Sequence, residues 1–176
     1  KEAKDQSAAL YYKEGKEEIR RLYRDEYEIG LEAVRMINDF YHIKLLSHEA
    51  ASIAFHLINA EVNSDASDIN IILKGTHEIL KIIETTLGVK LGEDTQGYSR
   101  LVIHLKYFMK RVIIEHEECK DQFGKALFDE DDEQFILVKK CLDNIKAYLR
   151  ETYDYELDGA ERIYLIIHII RVLPNE

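Results

Sequence analysis

Breakers of regular structure are almost missing from this chain. One proline is present, at position 174, and eight glycines are spread over 176 residues. Proline and glycine end helices and shape the turns of β-rich folds. A chain nearly without them, and rich in Leu, Ile, Glu and Lys, is expected to be all-α rather than a sandwich or barrel. The apolar periodicity agrees. Ile19, Leu22, Tyr23, Tyr27, Leu31, Val34 and Ile37 recur mostly at three- and four-residue steps, which places them on one helical face. Gly15 is a candidate interruption, and Gly30 a candidate break or site of close helix approach.

Further along, Ser47 is placed to cap a second helix that runs to about Ala60. The small, polar stretch AEVNSDASDIN is the best linker, with the boundary at residues 64–68 between segments 1–63 and 69–176. INIILKGTHEILKIIETTLG reads as an amphipathic helix closed by Gly88. YSRLVIHLKYFMKRVII forms the next helix, residues 116–132 an acidic loop, and DEQFILVKKCLDNIKAYLRETY another helix. The final run, ERIYLIIHIIRV, is ambiguous by itself, because short β-branched runs suit a buried strand or a buried helix. Asp158 and Glu161, at capping-box spacing, favour the helix.

An internal repeat decides the point. A shift of 112 residues lays YHIKLLSHEAASIAFHLINA over YDYELDGAERIYLIIHIIRV, so that Tyr41 meets Tyr153, Leu45 meets Leu157, Glu49 meets Glu161, His56 meets His168 and Ile58 meets Ile170. The first copy carries Ala50, Ala51 and Ala54, strong helix formers, so both copies are expected to be helical. A third embedded histidine, His104, would have its counterpart before residue 1, so the first repeat is expected to be incomplete.

Composition removes several function classes. The formal charge is −10, from 34 acidic and 24 basic residues, which opposes grip on nucleic acid by these residues, since such binding is largely phosphate neutralisation. No run reaches the roughly 18 apolar residues of a membrane helix, and no signal-peptide pattern is present. Cys119 and Cys141 have neither zinc spacing nor a disulfide framework, and a reducing, cytoplasmic setting is the default. No serine elbow or glycine-rich phosphate loop occurs, and no enzymatic activity or cofactor is expected.

The histidines carry the chemistry. Seven helical residues turn through about 700°, so Glu49 and His56 share a face, as do Glu161 and His168. Arg100 and His104 are four apart and adjacent on theirs. Asn59 lies within a turn of His56, and Arg171 within a turn of His168. Three readings stay open. In the first, the histidines are structural, each satisfied by one hydrogen bond. In the second they bind metal, but seven residues span about 10 Å along the axis, too far for a Glu–His pair to share one ion. In the third they accept phosphoryl groups, since neutral imidazole is nucleophilic near pH 7. Arg100, Asn59 and Arg171 would then support the phosphate, and Glu49 and Glu161 would orient the rings.

SHEAASIAFHLINAEVN, YSRLVIHLKYFMKR and AERIYLIIHIIRV resemble the histidine motifs of the PTS regulation domain, and IRRLYRDEYEIGLEAV resembles the helix that precedes the second motif of the first such domain. Among families, the likeness is to BglG/SacY-type transcriptional antiterminators, including their LicT-like members. It implies two related helical-bundle domains in tandem, the first incomplete here. It also implies phosphorylation at His56, His104 and His168, with a sugar-specific enzyme II acting on the first domain and the carrier HPr on the second. The resemblance further implies a homodimer that contacts RNA only through a separate N-terminal domain.

Overall fold

The structure, a computed structural model, describes residues 16–62, 66–115, 133–157 and 159–173. Every regular element among them is helical, as expected from the scarcity of breakers. In chain order these are α1 over 16–22, α2 (Arg24–Tyr41), α3 (Glu49–Val62), α4 (Ala66–Leu87), α5 (Gln96–Lys110), α6 (Glu133–Tyr153) and α7 (Gly159–Val172). A π-helical turn, Arg111–Glu115, continues α5. Gly15, residues 116–132 and Asp158 lie outside the described residues. No described helix is long and apolar enough to cross a membrane.

The chain divides into two compact units, residues 1–73 and 74–176, with the division falling inside α4. Of the expected linker, residues 64–65 are outside the described set, whereas Ala66–Asp68 form the first turn of α4. The helical outcome there has a local cause. Alanine is the best helix former, and an acidic residue in the first turn complements the positive end of the helix dipole.

In the first unit α2 packs on α3. Val34 faces a row of Ala50, Ala51, Ala54 and Ile58, all buried. The close approach read at Gly30 is present: a Cβ there would press into the Ala50 carbonyl oxygen. The connection between the two helices is held by Asn38, whose Oδ1 accepts from Leu45 N at 2.6 Å while its Nδ2 donates to Leu45 O at 3.2 Å. At the entry to α3, the Ser47 carbonyl accepts the Ala50 N–H at 3.1 Å.

The second unit contains the rest of α4 together with α5, α6 and α7. Leu101, Leu105, Phe108 and Met109 of α5, Val138, Cys141, Ile145 and Leu149 of α6, and Leu165 and Ile169 of α7 are fully buried. Fully burying one such side chain is worth about 1.5–3 kcal/mol. That outweighs the few tenths per residue by which β-branched side chains disfavour helix, and ERIYLIIHIIRV is a helix. Burial pushes the Cys141 thiol up to about 12, leaving it a packing group. Gly88 has φ +66° and Val89 N donates to Glu84 O at 3.2 Å, the left-handed helix stop expected there. Thr95 begins α5, its Oγ1 accepting from Tyr98 N at 3.2 Å.

The repeat is visible in the backbone. Among the described residues, two that are not glycine have positive φ, His42 (53°) and Asp154 (52°), and they are 112 positions apart. Each follows the last residue of a helix, Tyr41 or Tyr153. The copies nevertheless bury different rows. α3 turns Ala50, Ala54 and Ile58 inward, whereas α7 turns Glu161, Leu165 and Ile169 inward, one residue out of step. Gly30 has Leu142, a buried leucine, as its counterpart. The consequence for chemistry is direct: Glu161 is buried, and Glu49 is not.

Candidate functional site

α5 and α7 run antiparallel, and three contacts fix their register. At one end, a Cβ on Gly97 would come within 2.8 Å of the Arg171 carbonyl oxygen, so glycine allows the helices to close there. In the middle, the His104 and His168 rings stack with centroids 4.9 Å apart and planes inclined by 21°. At the far end, Arg111 Nη2 donates to Glu161 Oε1. Tyr164, one turn before His168, also stacks with His104, at 5.4 Å. Two helices thus bring His104 and His168 into one site, although 64 residues separate them.

The electrostatics are specific. The His104 side chain is 15% exposed, and its Nε2 lies 3.7 Å from Glu161 Oε2, beyond hydrogen-bond range. Both of those atoms are buried. A carboxylate so close would by itself raise the imidazole pKa. Here Arg111 takes up the carboxylate charge, and burial, His168 and Arg111 together lower His104 from 6.5 to about 4. His168 is lowered too, by burial and then by Arg171 and Arg100. Both rings are therefore neutral at pH 7, each with one nitrogen lone pair available.

The structure rearranges several expected roles. Arg100, adjacent to His104 in sequence periodicity, exerts its effect on His168 across the helix pair. Glu161 is paired with Arg111 and lies beside His104, both of α5, and Arg171 acts on His168 as its spacing indicates. Sequence reasoning missed Arg111 and Tyr164. The signal existed: Arg111 follows His104 by seven residues, the spacing that puts Glu161 and His168 on one face.

The first unit presents less. His56 is exposed on α3, edge-on to Phe55 at 6.4 Å. Glu49 lies against His48, Oε1 to Nε2 3.1 Å. Asn59 Oδ1 is buried without a hydrogen-bond partner among the described residues.

A metal has no converging donor set among the described residues. Two rings stacked face to face aim their lone pairs along parallel planes, whereas ligands of one ion must aim at one point.

Sequence comparison joins this geometry. The PRD domain model matches the chain twice, at residues 7–60 and 77–172. The chain belongs to the PRD domain family. The second match takes in α5, α6 and α7, and so His104, Arg111, Glu161 and His168; the first takes in His56. Its relatives include the transcription antiterminator LicT of Bacillus subtilis (strain 168), 36% identical over 159 residues, or 90% of this chain and 56% of LicT. The beta-glucoside operon antiterminator of Dickeya chrysanthemi is 34% identical over 88% of this chain and 54% of its own. The PtsGHI operon antiterminator of Bacillus subtilis (strain 168) is 27% identical over the same shares. The chain spans little more than half the length of each of these relatives.

Proposed function

We propose that this PRD chain is the regulatory module of a transcriptional antiterminator, switched by histidine phosphorylation and acting through a homodimer in the cytoplasm. Residues 1–63 form part of one PRD and 69–176 a second, with the boundary at 64–68. His104 and His168 accept phosphoryl groups from HPr, and His56 accepts one under the control of a sugar-specific enzyme II. RNA contact belongs to a separate domain, which suits helices of formal charge −10.

The observation that carries this reading is the stacked His104–His168 pair with arginines around it. Neutral imidazoles are nucleophiles, and Arg100, Arg171 and Arg111 offer planar, bidentate partners to phosphate oxygens. The surround is also apolar and exposed: Ile103 is 50%, Tyr107 62% and Tyr164 56% accessible on the same two helices. Adding nearly two negative charges beside such a face and beside a buried carboxylate disfavours one packing and favours another in which arginines meet the phosphate.

The test is assembly. Sedimentation of the chain before and after phosphorylation by enzyme I, HPr and phosphoenolpyruvate should show a shift in the monomer–dimer balance. His168→Asp should shift it as well while helicity is retained. If His168→Asp merely lowers helicity and stability, the histidine is a structural core residue and the switch reading fails.

A further inference from the structure

We propose that Arg111 is the phosphate-holding residue of the His104 site, and that the Glu161 carboxylate occupies in the unmodified protein the place at its guanidinium that a phosphoryl group on His104 takes. The inference rests on His104 being a phosphoryl acceptor.

Its basis is a chain of three groups. Arg111 Nη2 donates to Glu161 Oε1, and the other carboxylate oxygen, Oε2, stands 3.7 Å from His104 Nε2. The guanidinium is therefore one carboxylate away from the imidazole. A phosphorus–nitrogen bond followed by a phosphorus–oxygen bond spans less than that 3.7 Å, so a phosphoryl group on Nε2 brings its oxygens into the space that Oε2 fills. Two anions cannot share this pocket, where the Glu161 side chain is 8% exposed. Arg111, 32% exposed and positioned at the start of the π turn, is the cation that can serve either. Turns of this kind occur frequently at functional sites because they re-aim a side chain. Phosphate, with more charge and more acceptor oxygens than carboxylate, wins the guanidinium.

The step balances. The donor's phosphorus–nitrogen bond breaks as the new one forms on His104, the electron pair returns to the donor ring, and the proton on the other His104 nitrogen passes to the donor or to solvent. Glu161 must leave Nε2 for this to occur, and when it leaves, α7 loses its ionic tie to α5. Acceptance of phosphate and release of α7 are thereby one event.

The two partners then have opposite effects, which an ordinary buried ion pair would not produce. Glu161→Gln removes the competing charge, leaves a side chain of the same shape, and should increase the initial rate of His104 labelling by charged HPr. Arg111→Gln should reduce it by about tenfold or more, the scale of a lost charge-assisted hydrogen bond. Because Arg111→Gln strands a buried carboxylate and can unfold the unit, the double variant Arg111→Gln/Glu161→Gln is compared with Glu161→Gln alone, which isolates Arg111 without that charge. The double variant should label at least about tenfold more slowly than Glu161→Gln. Equal rates in those two, or a fall in both single variants, overturns the assignment while leaving the acceptor reading intact. Absence of His104 label from wild type and all variants overturns both.

Discussion

Protonation of His104 offers a quantitative handle on the site. Its folded-state pKa is about 4 and the ordinary value is 6.5, with burial the first cause and the His168 and Arg111 charges next. Because the folded value is the lower one, the unfolded chain binds a proton in this window that the folded chain refuses. Stability is complete above about pH 6.5 and falls as pH drops towards 4. At about 1.4 kcal/mol per pH unit, the interval is worth about 3 kcal/mol, a large part of a typical domain's stability. His168, lowered in the same direction, adds to the slope. Carboxylates also titrate here, so the informative quantity is the difference between wild type and His104→Gln, which shares every carboxylate. Urea unfolding at pH 7.5 and 4.5 should show a loss in wild type that exceeds the loss in His104→Gln by about 2–3 kcal/mol. A proton NMR titration should place the His104 midpoint near 4. Equal losses in the two proteins, or a midpoint at or above 6.5, would refute the claim that this imidazole is buried and held neutral.

Gly30→Ala puts a methyl group into the Ala50 carbonyl, and forced overpacking should outweigh the gain in helix propensity, with a net loss of about 1–3 kcal/mol in urea melts. Thr95→Ala removes the side-chain acceptor for Tyr98 N and should cost about 1 kcal/mol in the same assay. Glycine at His42 or Asp154 relieves a left-handed backbone, so either variant should melt no lower than wild type.

Much of the fold was legible because it is local. Few breakers implied helices, Gly88 and Gly30 announced a stop and a close approach, and the Ala-rich twin at 49–60 settled ERIYLIIHIIRV as helix. The 112-residue repeat reached as far as the pair of left-handed residues, His42 and Asp154. What stayed hidden depends on how one helix meets another. Periodicity assigned Arg100 to His104, but the antiparallel α5–α7 crossing sets it against His168. Glu161 looked like a capping residue and a neighbour of His168. Its inward turn, in a buried row one residue out of step with that of α3, places it between Arg111 and His104. Ala66–Asp68, read as part of the linker, are helical, because small polar residues suit a helix's first turn as well as a loop.

The central claim is that the α5–α7 face accepts phosphoryl groups at its stacked histidines. Incubation of the folded chain with phosphoenolpyruvate, enzyme I and HPr, followed by mass spectrometry under conditions that preserve phosphohistidine, tests it directly. The account predicts label on His104 and His168. A folded chain with both histidines unlabelled, beside HPr that is fully charged, would contradict it.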